Sequence, residues 1–174
     1  MTSAIDSNVE ELSAVFVDVD QFKLVNDTYS HSVGDEVLRR IAVILRTHCR
    51  SDDVPVRYGG DEFLILVCGG DEAADGVAER LHAAVRSAPW GQVAPGLEVT
   101  VSVGVGHTVP SRGAIAAADA ALYEATRAGR DRVVTACREG PAGTCRSRTT
   151  HLTPTARRPD QTASPQPQPP SDDW

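Results

Sequence analysis

Residues 54–67 read VPVRYGGDEFLILV, with two apolar runs on either side of two glycines and two acids. Runs of this length that are rich in Val, Ile and Leu favour β-strands. Gly59 and Gly60 can adopt the positive φ angles that tight hairpin turns require. The stretch therefore predicts a β-hairpin whose tip carries the carboxylates of Asp61 and Glu62.

Strand and helix patterns continue on both sides of this hairpin. Short apolar or alternating runs predict strands at residues 14–17, 97–105 and 132–134. Apolar residues recur at helical spacing in three segments, which are Val33, Val37, Leu38, Ile41, Ile44 and Leu45; Ala74, Val77, Ala78, Leu81, Ala84 and Val85; and Ile115, Ala118, Leu122 and Ala125. The order β-α-β-β-α-β-α-β predicts an α/β sheet with an antiparallel hairpin at its middle.

The composition of the chain changes after residue 137. From Arg138 onward the chain is poor in large apolar residues and rich in Pro, Ser, Thr, Gln and Arg. Such a stretch cannot bury enough apolar surface to offset the entropy lost on ordering it. We therefore expect a folded domain at residues 1–137 and a disordered tail at residues 138–174.

Charge and hydropathy exclude several classes of partner. The formal net charge is −7, from 17 basic and 24 acidic residues, which argues against binding to nucleic acid polymers or membrane surfaces because both need a cationic face. No apolar run approaches the roughly 20 residues that span a bilayer, and the N-terminus does not have the pattern of a signal peptide. We expect a cytoplasmic protein whose four scattered cysteines are free thiols.

Acidic residues directly follow the first predicted strand. Period-two geometry points Asp18 and Asp20 to the same side at the carboxyl end of this strand. Carboxylates from this strand end and from the hairpin tip are the hard oxygen donors that Mg²⁺ prefers, with substrate phosphates and water completing its shell. Taken alone, either cluster is more typical of acids that solvate strand ends and turns.

Three segments, in order along the chain, resemble the GGDEF family of diguanylate cyclases. Residues 57–63 match the signature R-Y-G-G-D-E-F. Residues 18–27, DVDQFKLVND, are similar to its D-x-D-x-F-K-x-x-N-D segment, and residues 101–105, VSVGV, resemble its I-S-I-G-V strand. The matches run from about Val15 to Val134. The resemblance implies a palm-like nucleotidyl-cyclase fold, in which helices flank a central, mostly antiparallel sheet.

The resemblance also implies an activity and its participants. Family members join two GTP molecules into cyclic di-GMP and release pyrophosphate, with Mg²⁺ or Mn²⁺ as the cofactor. Each domain holds one GTP, so a transient antiparallel homodimer is implied. The residues assigned in this way are the metal ligands Asp18, Val19 (through its main-chain carbonyl) and Asp61; the catalytic residues Asp61, Glu62 and Lys23; and the substrate-binding residues Phe22, Asn26, His31, Asp35 and Arg130.

Residue chemistry agrees with several of these implied roles. The carboxylate of Asp35 can accept hydrogen bonds from guanine, and the amide of Asn26 can donate to its ring acceptors, although the same run also fits a turn followed by a helix start. Lys23 would neutralise phosphate charge. Glu62 would either assist deprotonation of the ribose 3′-hydroxyl or complete the metal shell, and the sequence leaves both roles open.

A product-binding motif precedes the hairpin. Residues 50–53, RSDD, match the R-x-x-D inhibitory motif of the family. Arg50 can fork onto a phosphate or a guanine edge, and Asp53 can accept from guanine. Arg80 matches a secondary product-binding arginine in part of the family. The motif is short, and its position ahead of Gly59 is what gives it weight.

The chain departs from the family pattern at two places. The residues before Ala14 do not match the opening D-x-L-T-G-L-x-N-R segment, so we expect exposed apolar surface on the sheet and weaker GTP binding. Thr126 stands where the family has a phosphate-binding lysine, with Arg127 as a displaced substitute. These departures keep two alternatives open: a weak or inactive domain that binds GTP or cyclic di-GMP, and a structural scaffold.

Overall fold

A computed structural model describes residues 12–107, 111–136 and 148–150 of the chain. Its strands are β1 (Leu12–Val19), β2 (Val54–Gly59), β3 (Glu62–Cys68), β4 (Val101–His107), β5 (Arg132–Thr135) and β6 (Arg148–Thr150). Its helices are α1 (Phe22–Tyr29), α2 (His31–His48), α3 (Asp71–Ser87) and α4 (Ser111–Arg127), with a short 3₁₀ turn at Trp90–Gln92.

The strands form one sheet in the order β2-β3-β1-β4-β5-β6. β1 lies inside the sheet and runs antiparallel to both β3 and β4. The β2–β3 and β5–β6 pairs are also antiparallel, whereas β4 and β5 run parallel. This mixed, mostly antiparallel sheet with flanking helices confirms the fold class that the sequence predicts.

The two faces of β1 belong to two different cores. Val15 and Val17 face the core that α2 and α3 cover. Ala14 and Phe16 face the other side, where they pack against α4. A strand that is buried on both faces needs apolar residues at successive positions, because neighbouring side chains point to opposite sides. This double burial explains the uninterrupted apolar run at residues 14–17.

Two glycines of β4 let α4 lie close to the sheet. A Cβ at Gly104 would collide with the backbone of Ala118 and Leu122. A Cβ at Gly106 would collide with the backbone of Ala114 and Ala118. Because glycine removes the side chain that would hold helix and strand apart, these positions set the packing distance of α4.

Two predicted elements differ from the observed ones. A separate helix, α1, precedes the predicted helix and ends at Tyr29. The next residue, Ser30, caps the start of α2, because its Oγ accepts from the Val33 N–H at 3.4 Å. The strand predicted from residue 97 begins at Val101. The preceding residues form a turn and loop, in which the Trp90 indole donates to the Val85 carbonyl at 2.8 Å and Leu97 is buried.

The chain also adds a strand that the sequence did not predict. Residues 148–150 lie in the expected disordered tail, but they pair antiparallel with residues 133–135 at the edge of β5. An edge strand offers unpaired backbone groups, and the β-branched Thr149 and Thr150 suit such pairing. The rest of the expected tail lies outside the described residues, so the boundary at residue 137 stays a prediction.

One face of β2 exposes apolar side chains. Val54, Val56 and Tyr58 are 50%, 45% and 61% exposed. Val54 and Val56 pair in register with Leu66 and Leu64, on the sheet face to which α4 also packs. Exposed apolar surface on the sheet was expected from the sequence, although residues 1–11 lie outside the described part. Within the described residues, none of the helices has the length and apolar character needed to cross a bilayer.

Candidate active site

The β2–β3 hairpin brings its acids to the end of β1. Glu62 lies opposite Asp18 in the β1–β3 register. The Val19 N–H donates to the Asp61 carbonyl at 3.3 Å. The strand end and the hairpin tip, which are more than 40 positions apart in the sequence, therefore form one acidic edge of the sheet.

Arg57 holds the tip of this hairpin. Its Nε and Nη2 donate to the Gly60 carbonyl at 3.1 and 2.6 Å. The predicted hairpin is confirmed. Neither Gly59 nor Gly60 has a positive φ angle, so the predicted glycine conformation of its turn is wrong. A register shift lies between Arg57 and Gly59, and a Cβ at Gly59 would lie 3.2 Å from Glu62 Oε2. The missing side chain leaves room for the Glu62 carboxylate.

Asp18 lies half-buried inside a cluster of negative charge. Burial is the largest cause that raises the pKa of Asp18 to about 7. Three carboxylates add to the rise, in the order Asp61, Asp20 and Glu62, and the Arg130 guanidinium opposes it. Without a further cation, Asp18 therefore carries a proton for part of the time at neutral pH. A bound divalent cation would displace that proton.

The oxygen donors at this edge suit a cation that shares its shell with a substrate. Among the described residues, no three or more His, Cys, Asp or Glu side chains are grouped to hold a metal by themselves. Mg²⁺ commonly takes one or two carboxylates and completes its octahedron with waters and substrate phosphates. The carboxylates of Asp18 and Asp61 suit this role, because Arg130 only partly offsets the negative charge that raises the Asp18 pKa. The Val19 carbonyl as a further ligand stays a prediction.

Asp20 has a different environment from Asp18. Its Oδ1 accepts from Ser102 Oγ at 2.6 Å, and its Oδ2 accepts from Thr100 Oγ1 at 2.6 Å and from the Asp131 N–H at 3.0 Å. This buried carboxylate ties the end of β1 to the start of β4 and to the turn after α4. Of the two acids predicted to point to one side, Asp18 is the one left for a cation.

The corner between α1 and α2 gathers the predicted guanine-binding residues. A Cβ at Gly34 would collide with Asn26 Oδ1 and would lie 3.2 Å from Phe22 Cζ. Asn26 and Phe22 thus pack directly on the residue before Asp35. Asp35 is exposed and lines a groove of about 660 Å³ between α2 and the hairpin strands. The sequence interpretation did not single out Gly34, whose lack of a side chain makes this corner possible.

From the predicted role of Asn26 in guanine binding, replacing Gly34 with alanine is expected to raise the KM for GTP about tenfold, since the Cβ would displace Asn26 and remove one predicted hydrogen bond to the base. The kcat at saturating GTP is expected to change little. Gly91→Ala is the matched control, because a Cβ at Gly91 meets no atom within 4 Å. Steady-state kinetics of both variants checks this, and equal KM values would place Asn26 outside the substrate site.

The other predicted site residues with basic side chains are exposed. Lys23 lies exposed in the first turn of α1, His31 begins α2, and Arg130 is exposed in the turn after α4. Arg130 is near enough to act on the Asp18 pKa. Arg127 faces elsewhere, because its Nη1 donates to the Tyr123 hydroxyl at 3.1 Å and its guanidinium lies 5.5 Å from that ring centre. Arg127 is therefore a poor substitute for the family lysine.

Thr126 does not replace that lysine either. Its Oγ1 donates to the Tyr123 carbonyl at 2.9 Å, so the hydroxyl is engaged within α4. A hydroxyl also has no charge with which to balance a phosphate. Arg130, by contrast, carries a charge that opposes the rise of the Asp18 pKa.

The predicted product-binding residues gather at the other end of β2. Burial is the main cause that raises the pKa of the Cys49 thiol, Asp53 adds to the rise, and Arg80 opposes it, so these side chains are neighbours. The Arg50 guanidinium lies beside Gly69, at 4.0 Å from the position of a Cβ there. Six residues of β2 at about 3.3 Å each separate this cluster from the hairpin tip by roughly 20 Å.

Asp53 also has a structural role that the sequence did not reveal. This buried carboxylate accepts from the Arg50 N–H at 2.7 Å and from the Cys68 N–H at 3.4 Å. It therefore closes the turn before β2 and fastens that turn to β3. Its assignment to product binding stays a prediction, and removal of its side chain would disturb the turn as well.

The model of the family described as "Diguanylate cyclase, GGDEF domain" matches residues 1–132. The chain belongs to the GGDEF family. The response regulator PleD of Caulobacter vibrioides is 39% identical over 151 residues, covering 77% of this chain and 33% of PleD. Diguanylate cyclase A of Treponema denticola is 37% identical over 129 residues, covering 71% of this chain and 35% of that protein. The chain thus spans about a third of the length of these curated relatives.

Solved GGDEF structures share the fold. Diguanylate cyclase SiaD of Pseudomonas aeruginosa, solved with its activator SiaC, superposes with a TM-score of 0.67 at 38% identity and covers 75% of this chain and 52% of that chain. The GGDEF domain of DgcB from Caulobacter crescentus, solved with c-di-GMP, superposes with a TM-score of 0.65 at 28% identity. The match covers 72% of this chain and 78% of that chain. These matches confirm the palm-like family fold.

Proposed function

We propose that this GGDEF chain condenses two GTP molecules into cyclic di-GMP and pyrophosphate. The observation that carries the proposal is that the Asp18 and Asp61 carboxylates interact at the sheet edge, and that the groove lined by Asp35 is also lined by residues on both sides of the hairpin tip, Arg57 and Phe63. A cluster of carboxylates that a cation would stabilise is thereby joined, through the hairpin, to a groove in which Asp35 can accept hydrogen bonds from guanine. The names of its relatives as diguanylate cyclases support the same activity.

The residues of the chain divide the proposed work. Asn26, Asp35 and Phe22 would bind and orient guanine, with His31 as a further contact at the start of α2. Lys23 and Arg130 would balance the charge of the triphosphate. Bound Mg²⁺ or Mn²⁺ would supply Lewis-acid polarisation of the reacting phosphate and neutralise developing charge.

We propose Glu62 as the proton acceptor. It pairs with Asp18 across the sheet and lies at the open hairpin tip. A carboxylate placed there can take the proton from an incoming ribose 3′-hydroxyl while the 3′-oxygen attacks the α-phosphorus of the facing GTP. Completion of the metal shell is its alternative role.

The reaction as proposed needs two copies of the chain. One corner between α1 and α2 can hold one guanine, and the second GTP must present its α-phosphate to the first ribose. A transient antiparallel homodimer meets this requirement, since two-fold symmetry makes each site complete the other. We further propose that the partners are GTP and cyclic di-GMP, with no nucleic acid polymer or membrane, and that the chain acts in the cytoplasm.

A direct assay tests the proposed activity. The purified chain is incubated with GTP and Mg²⁺, and the products are identified by mass spectrometry, with ATP as the control substrate. Cyclic di-GMP and pyrophosphate from GTP alone are expected. GTP binding without either product would instead favour a nucleotide-binding module, for which the loss of the family lysine at Thr126 is the supporting observation.

Product inhibition through the cluster of Arg50, Asp53 and Arg80 is the second part of the proposal. Arg50→Ala is expected to weaken cyclic di-GMP binding about 5- to 150-fold, since an arginine fork onto a base or phosphate typically contributes about 1–3 kcal/mol. GTP affinity should not change, because this cluster lies roughly 20 Å along β2 from the hairpin tip. Calorimetry with each nucleotide measures both quantities.

Arg50 is a cleaner choice for this test than Asp53, whose carboxylate also holds two backbone N–H groups. Arg127→Ala is the control, because Arg127 is exposed at the end of α4, contacts Tyr123 and lies outside both proposed nucleotide sites. Equal affinity of Arg50→Ala and the parent for cyclic di-GMP would rule out the product-site assignment.

A further inference from the structure

The turn between α4 and β5 has an unusual backbone conformation. Arg130 and Asp131 are consecutive non-glycine residues with φ angles of 63° and 49°. Left-handed conformations cost roughly 1–2 kcal/mol per residue for L-amino acids. Such conformations persist where surrounding groups hold them, so the contacts of this turn identify what keeps it in place.

Backbone hydrogen bonds fix the turn on one side. The Arg130 N–H donates to the Ala125 carbonyl at 3.1 Å, which ties the turn to the last part of α4. The Asp131 N–H donates to Asp20 Oδ2 at 3.0 Å. Asp20 is the buried carboxylate at the end of β1, two positions from Asp18. The turn is therefore attached directly to the strand end that carries the proposed metal ligand.

The side chain of Asp131 fixes the turn on the other side. Its Oδ1 lies 2.9 Å from His82 Nε2, and its Oδ2 lies 2.8 Å from Arg86 Nη1. His82 is 1% exposed within α3. Since a carboxylate can only accept, Nε2 is the donor in this hydrogen bond. A buried imidazole and an arginine of α3 thus hold the carboxylate from the side opposite Asp20.

The contacts of this turn hold the backbone of Arg130 in place. Arg130 stands between the hydrogen bond to Ala125 and the two-sided attachment of Asp131, and its own guanidinium is exposed. The hydrogen bond from the next residue, Asp131, to Asp20 places Arg130 beside the acidic end of β1. A flexible arginine would face the acidic cluster for only part of the time, at an entropic cost on binding.

We propose that Asp131 and His82 are positioning residues that hold residues 129–131 so that Arg130 faces the phosphates of bound GTP. The inference rests on the proposed GTP site and extends it to a buried contact between α3 and the α4–β5 turn. Asp131 and His82 touch neither the nucleotide nor the metal, and they act through Arg130.

A double-mutant cycle tests this dependence. Arg130→Ala is expected to lower kcat/KM about 100-fold, as removal of one phosphate cation does. Asp131→Gly is expected to lower it about tenfold, and glycine avoids any left-handed strain in the variant. In the Arg130→Ala background, Asp131→Gly should cost less than about twofold, because a positioning residue has no effect once its target is absent.

Asp131→Asn and Asp119→Asn are the conservative variant and the surface control for the double-mutant cycle. Asp131→Asn keeps an acceptor for His82 and tolerates the left-handed conformation, so it should stay within about threefold of the parent. Asp119→Asn, on the exposed face of α4, should match the parent. An Asp131→Gly effect that is equally large with and without Arg130 would overturn the proposal. The same cycle on GTP affinity by calorimetry applies even if the parent makes no cyclic di-GMP.

The contacts of Asp131 with His82, Arg86 and Asp20 form a clamp on the α4–β5 turn, and limited proteolysis tests this clamp independently of turnover. His82→Leu fills the buried position with an apolar side chain and removes the imidazole donor to Asp131 while leaving Arg86 in place, so trypsin should cleave after Arg130 at least about fivefold faster. Cleavage after Arg40, in the middle of α2, reports global unfolding and should not change. Equal cleavage after Arg130 in both proteins would contradict the clamp. Faster cleavage without any turnover of the parent would support the clamp while contradicting the proposed cyclase activity.

Discussion

Asparagine in place of Asp61 is expected to lower the rate of cyclic di-GMP formation about 1000-fold while leaving the fold intact. The substitution removes one carboxylate from the proposed metal site, and losses of this order follow removal of a group that stabilises transition-state charge. The fold should persist because the contact that fixes this residue to β1 comes from its backbone: the Asp61 carbonyl accepts from the Val19 N–H.

Asp119→Asn is the matched control, since it removes the same charge from the exposed face of α4. Product formation by mass spectrometry, metal titration and thermal unfolding are measured on both variants. The expected pattern is loss of turnover and weaker Mg²⁺ dependence in Asp61→Asn, at a metal-free Tm no lower than that of the parent. Turnover close to that of the parent at every Mg²⁺ concentration would exclude Asp61 from the metal site.

The fold was largely predictable because its deciding signals are local. The hairpin follows from two apolar runs around a short polar tip, and β1 follows from a run that is apolar on both faces. Helix α1 was missed although Phe22, Val25 and Tyr29, which pack on the core, have helical spacing, because a helix of eight residues shows few such positions. The pairing of β6 depends on an edge of β5 that exists only in the folded sheet.

The acidic edge was predicted from motifs, whereas the groups that support it were not. Asp18 and Asp61 stand in recognisable segments. Asp20 binds partners 80 or more positions away, at Thr100 and Asp131, and no local pattern reveals such contacts. The close approach at Gly34 depends likewise on how α1 crosses α2. Residue types at a site can be read from sequence, but the contacts that orient them are set by long-range packing.

Asp18 is the position where stability and function should oppose each other. Its pKa rises from 3.8 in the unfolded reference to about 7 in the metal-free fold, mainly because of burial and then because of neighbouring carboxylates. The folded state therefore binds the Asp18 proton more tightly than the unfolded state does. The resulting stabilisation is fully present below about pH 4 and is lost as the pH rises through 7.

Asparagine does not ionise, so Asp18→Asn should escape this loss. In metal-free buffer at pH 8 the variant is expected to unfold at a Tm several degrees above that of the parent. Solvent screening at this partly exposed site reduces the gain to about 1 kcal/mol, well below the full value of the pKa difference. The gain should shrink at pH 5, where Asp18 in the parent is largely protonated.

With Mg²⁺ bound, the parent should have a higher Tm than Asp18→Asn. A cation that binds the folded parent stabilises it by mass action, and the variant lacks one of the ligands that would bind this cation. Turnover should be lost in Asp18→Asn for the same reason. Thermal unfolding at pH 5 and pH 8, with chelator and with Mg²⁺ plus GTP, measures these shifts. A Tm of the variant at or below that of the parent at pH 8 in chelator would show that the negative cluster does not destabilise the metal-free fold.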